Sequence, residues 1–165
     1  MTILRHFILL CAVTLFAISA NAALPAPNDA ASSIYAQRLA DQIAHNHVGI
    51  MDVIFHVTPP GKTKNIAVAS HITGERGKPS GDDELGVIRT GKPLVEIQKD
   101  GVRIGVLVPL MDDHGNTIGA LGIVYAYHRG QAEQPFLMRS MGIRNSIAKR
   151  ISSEADLFVR NAPGA

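Results

Sequence analysis

From Ile50 to Thr58 apolar and polar positions alternate with a period of two. Met51, Val53, Phe55 and Val57 fall on one side; Asp52, Ile54, His56 and Thr58 fall on the other. That is the pattern of a half-buried strand. Upstream the period is helical: Tyr35, Leu39 and Ile43 recur every four residues, with Ala36, Ala40 and Ala44 beside them. This stripe predicts a docked helix running to about His45, with Asp29 or Ser32 as its N-cap. Gly49 separates the two patterns, and Pro59-Pro60-Gly61 ends the strand because proline cannot donate to a ladder. Ile66 to Ser70 predicts a second strand, and residues 71–81 a polar loop. Ser80 to Thr90 reads as a short helix capped by Ser80, with Asp82, Asp83 and Glu84 at its positive end and Gly91 as its stop.

The stretch GVLVPLMDDHGNTIGALGIVYAY, Gly105 to Tyr127, places two apolar runs around the polar turn Asp112 to Asn116 and predicts a long hairpin. Leu94 to Gln98 joins it as a further strand through the turn Lys99-Asp100-Gly101. Gly119 and Gly122 lie inside the last strand, where glycine marks either a bulge or a close approach of backbone or ligand. After Gly130 the helical period returns to about Phe158, through Phe136, Ile143, Ile147 and Ile151, with Arg and Lys opposite. That stripe packs on the sheet or on a partner helix. The fold class is α+β: a central antiparallel sheet of about five strands with N- and C-terminal helices packed on it.

Composition changes this picture at the N-terminus. Arg5 and His6, the apolar run Phe7 to Ile18 and Ala20-Asn21-Ala22 have the form of a cleaved export signal, shorter than a membrane span. The expected organisation is a signal peptide over 1–22, a leader over 23–29, one domain over 30–160 and a tail over 161–165. The expected location is the periplasm. Cys11, the single cysteine, leaves with the signal, so the mature chain has no disulfide, no thiolate nucleophile and no c-type haem attachment. A formal net charge of +2 without a basic cluster gives no nucleic-acid surface.

No G-x-S-x-G elbow and no recognisable acid/base pair is present, so an enzyme is not expected. No cofactor is expected either. His45, His47, His56, His71, His114 and His128 lack paired ligand spacing, and Asp112 to Asn116 reads as a turn rather than a calcium loop, so no metal is assigned. Asp52 and His56 share a strand face. That face is read as turned to solvent; alternatively Asp52 accepts an amine or a metal with His56 beside it.

Two segments, IAVASHITGERGKPSGDDELGVIRTGKP and VLVPLMDDHGNTIGALGIVY, together with the first helix, resemble the Cache/PDC domain, the extracytoplasmic relative of the PAS fold. The resemblance covers about Ala30 to Tyr127. It implies a free-standing single-Cache module that binds a small molecule in a pocket over the sheet, commonly a carboxylate or amino acid. By resemblance the ligand lies between the 71–81 loop and the central strands, which nominates Ser70, His71, Arg76 and Lys78. Arg103 and Tyr125 join them if strand register turns both to the pocket. The implied partners are an anionic small-molecule ligand, a membrane receptor or kinase, and a second copy in a homodimer. The chain departs from the family plan in having no transmitter of its own. The alternative reading is an exported accessory or interaction protein with a vestigial pocket.

Overall fold

Ile34 and Arg160 bridge the two ends of the domain in the computed structural model, which describes residues 33–160. The signal peptide, the 23–29 leader, the Asp29 and Ser32 caps and the 161–165 tail lie outside the described residues. Helix α1 (Tyr35–Asn46) leads into strands β1 (Ile50–Val57) and β2 (Ile66–Ser70). Helix α2 (Asp82–Thr90) follows. Strands β3 (Leu94–Ile97), β4 (Arg103–Met111) and β5 (Thr117–Ala126) then precede helix α3 (Gln134–Ala148). The five strands form one antiparallel sheet in the order β2-β1-β5-β4-β3. The expected α+β architecture is therefore the observed one.

Alternation in β4 and β5 sorts the sheet into two faces. Ile104, Val106, Val108 and Leu110 pair with Tyr125, Ile123, Leu121 and Gly119, and all of these but the glycine send side chains into the core with Val53, Phe55 and Val57. Helix α1 closes this face over β1 and β2, and α3 closes it over β4. Leu39, Ile43, Ile143 and Ile147 supply the helical half of the core. Among the described residues, the opposite face carries α2, which packs over β4 and β5.

Two predicted helix ends move. The C-terminal helix stops at Ala148 rather than near Phe158, and residues 154–158 form a separate 3-10 turn. The Asp156 carboxylate takes the amides of Ser152 and Ser153, while the Ile151 carbonyl accepts from Asp113 in the β4–β5 turn. These bonds replace the next helical turn and tie the C-terminal segment to the hairpin. Ser80 does not cap α2. The capping position is Gly81, whose amide donates to the Glu84 carboxylate 2.7 Å away.

The two hairpin glycines have different reasons. A Cβ on Gly119 would lie 2.4 Å from the His56 carbonyl oxygen, so glycine there permits a close backbone approach beside the irregularity between Leu110 and Met111. Gly122 belongs to the other face: a Cβ there would meet Leu107 Cδ2 at 3.3 Å and would point toward His56 Nε2 at 3.8 Å.

Candidate functional site

The incomplete cover on the α2 face leaves a cleft of about 250 Å³. Its floor is built from Ile54 of β1, Gly105 and Leu107 of β4, and Gly122 and Val124 of β5. The register explains this set, because Gly122 pairs with both Ile54 and Leu107 and Gly105 pairs with Val124. Side chains of directly paired residues project to the same side, and Gly122 leaves that side low. Asp83 and Glu84 from the first turn of α2 form one wall. Leu94, Glu96 and Gln98 form the other, with Arg103 at the rim.

His56 is the most constrained polar group in the cleft, at 7% exposure. Ser80 donates its hydroxyl proton to Asn65 Oδ1 at 2.6 Å. The Ser80 oxygen lies 2.9 Å from His56 Nδ1 and therefore accepts from it. This chain places the neutral imidazole's proton on Nδ1. Nε2 is left as an acceptor toward the cleft, 3.9 Å from Glu84 Oε1. Burial lowers the imidazole's pKa below its ordinary value, against opposing attractions from Glu84, Asp52 and Glu75. The ring in the folded protein is thus biased toward the neutral form. Glu84 spends Oε2 on the Gly81 amide and keeps Oε1 toward the cleft.

Asp52 is not turned to solvent, contrary to expectation: it is 2% exposed. Its carboxylate accepts from the Val53 and Ile72 amides at 2.8 and 3.1 Å and lies 3.0 Å from Ser70 Oγ. A buried charge is tolerable when hydrogen-bonded in this way. Its donors are supplied by the fold, so Asp52 clasps β1 to the start of the 71–81 loop. Ser70, 1% exposed, also exchanges backbone hydrogen bonds with the Gln37 amide of α1.

The six residues nominated from sequence are not brought together. His71 is exposed, and its Nδ1 meets Asp41 of α1 at 3.0 Å. Lys78 pairs with Glu75 at 2.8 Å, and Arg76 lies exposed in the same loop. Arg103 lines the cleft with its guanidinium bound to Asp100. Tyr125 is on the other side of the sheet. It pairs with Ile104, packs on Phe136 at 5.3 Å between ring centroids and shares a 2.8 Å hydrogen bond with Ser140 of α3. Burial raises its pKa, with the Ser140 bond opposing. Arg103 pairs with Ala126, one position from Tyr125 on the β4–β5 ladder, so the two side chains project to opposite faces and do not share a pocket.

Sequence reasoning did not nominate Glu84, Glu96, Gln98 or Ser80 as site residues, and it left Gly122 open between a bulge and a close approach of backbone or ligand. The usable signal was the glycine pair Gly105 and Gly122, each inside a strand. Among the described residues, the grouping of three metal-capable side chains is Asp112, Asp113 and His114. There Asp112 already accepts from the His114 and Asn116 amides and from the Asn116 side chain, as a hairpin turn requires.

No family model matches the chain, and no curated protein sequence does. Solved structures do. The nlh2 GAF domain of A. aeolicus, in an inactive state, matches with a TM-score of 0.53 at 12% identity, over 70% of this chain and 83% of that one. A GAF sensor protein from Burkholderia vietnamiensis matches at TM-score 0.48 and 16% identity, covering 73% and 78%. A double mutant of the inducer-binding domain of the PobR transcription factor from Acinetobacter, in complex with 3-hydroxybenzoic acid, matches at 0.48 and 12%, covering 72% and 95%. The chain has a GAF/PAS-like α+β fold.

Proposed function

We propose that this protein is a small-molecule sensor module that binds its ligand in the cleft between α2 and the β1-β5-β4-β3 side of the sheet. The observation that carries this is the cleft's construction: polar groups from β1, α2, β3 and β4 converge over a floor left low at Gly122, with the Gln98 side chain lying over Gly105. Apolar floors with a few convergent polar groups are the general form of ligand sites. The finer reading is a single Cache/PDC-type module acting in the periplasm, supported by the two quoted segments and the signal-like residues 1–22. Occupancy would pass to a membrane receptor or kinase, and the module binds without turnover.

The sequence favoured an anionic ligand, and the charge around the cleft does not support that preference. Asp83, Glu84 and Glu96 line it, and Arg103 is already neutralised by Asp100. His71, Arg76 and Lys78 do not line it.

Native mass spectrometry of the protein purified from its own host tests the proposal. The wild type is expected to retain a small molecule, and Gly122→Leu, which fills the floor, to lose it. A ligand retained equally by both would place binding elsewhere and contradict the assignment.

A further inference from the structure

We propose that the cleft recognises a small organic cation, a primary ammonium on a short apolar body, held between His56 Nε2 and Glu84 Oε1. The inference rests on the ligand-sensing reading above and adds the chemistry of the ligand's head group. His56 supplies the observation that an acidic surface alone would lack. It is more than nine-tenths buried, its Nδ1 is committed to Ser80, and its Nε2 faces the cleft with no hydrogen-bond donor among the described residues. Glu84 Oε1 is the second acceptor, 3.9 Å away, and its carboxylate partner Oε2 is already used by the Gly81 amide.

Two acceptors at that separation are both reached by one nitrogen lying about 2.8 Å from each. The nitrogen must carry at least two protons, since a neutral Nε2 and a carboxylate only accept. An ammonium meets that condition and adds a charge-assisted bond to Glu84. An incoming carboxylate would instead face two lone-pair donors in a site walled by Asp83 and Glu96. A divalent metal is a poorer occupant: the described residues place only these two ligand atoms together here, and the three-ligand grouping lies at the Asp112 turn. The floor of Ile54, Leu107 and Val124 suits the ligand's apolar body. At about 250 Å³ the cleft lies below the usual range for drug-sized ligands, so that body is short.

Calorimetry on the full mature chain with n-butylammonium, n-butanol and butyrate isolates the head group on one apolar body. The ammonium is expected to bind, and the alcohol and the carboxylate to bind at least about tenfold more weakly, as befits a charge-assisted bond. Glu84→Gln keeps an oxygen for the Gly81 amide and is expected to weaken n-butylammonium about tenfold or more. Glu96→Gln, distant from the Gly81 cap, is expected to weaken it less through the lost field. Equal binding of all three probes overturns the head-group inference and leaves the cleft a ligand site. Tighter binding of butyrate, or of zinc ion alone, overturns it likewise. If none of the probes binds while native mass spectrometry finds a retained neutral or anionic molecule, the inference falls and the sensor reading stands. If nothing binds and nothing is retained, both fall.

Discussion

One face of the sheet is dry and closed; the other is polar and open, although the same five strands build both. On the closed side, Val53, Phe55, Ile104, Val106, Leu121 and Ile123 meet two helices and are fully excluded from water. On the open side a nine-residue helix covers part of the sheet, and two glycines stand where side chains would fill the gap. The difference shows where each face spends its residues. Apolar burial on the α1/α3 side carries the stability, while the α2 side holds buried polar groups satisfied by a short hydrogen-bonded chain.

Matched truncations should separate the two faces most strongly. Phe55→Ala is expected to cost about 3–5 kcal/mol, as for a fully buried aromatic. Leu107→Ala, on the half-buried cleft floor, is expected to cost about 1 kcal/mol. Urea unfolding measures both, and similar losses would erase the distinction. The glycine pair makes a finer comparison. Gly119→Ala forces a methyl against the His56 carbonyl, with an expected loss of about 1–3 kcal/mol from overpacking. Gly122→Ala needs only a small shift of the Leu107 side chain. It should leave stability within about 1 kcal/mol and reduce ligand affinity.

Among the described residues, the closed face buries a charged side chain on α3. Arg144, 6% exposed, has no acidic partner among the described residues; its Nη1 and Nη2 meet the sulfurs of Met111 and Met141, and Nε is unbonded there. Burial lowers its pKa. Arg144→Met should therefore raise stability, by about 1–2 kcal/mol, measured as an upward shift of the urea midpoint. A loss of stability would mean that the guanidinium has a partner of consequence.

The smallest effect concerns His56. Its folded pKa is lowered, so the unfolded chain binds more protons in the interval below the ordinary histidine value. Stability should fall as pH drops through about 6.5. The groups facing the ring, Glu84, Asp52 and Glu75, oppose this but rank below burial. His56→Gln should flatten that part of the pH–stability curve relative to wild type. An unchanged slope would show that the ring is protonated in the fold.

The sequence made the closed face legible because helical and strand periods mark the residues that pack. It also showed that Asp52 and His56 share a strand face. Period alone does not tell whether a polar face will be covered, and here the cover comes from Ser70, the 72 amide and a helix some thirty residues on. Ser80 looked like a cap because it stands before Asp82 and Asp83; its hydroxyl is instead drawn to Asn65 and His56. Tyr125 and Arg103 could be sorted only by the ladder, in which Tyr125 opposes Ile104. Arg144 was read on the charged side of its helix, but it is packed beside Ile143 and Ile147.

Amide chemical-shift mapping tests the central claim most directly. On adding n-butylammonium, the amides of Gly105, Gly122 and Glu84 are expected to shift while those of Ser140 and Ile143 stay in place. Shifts confined to the α3 side, or no shift at the two glycines when the probe is bound, would contradict the assignment of the open face as the ligand site.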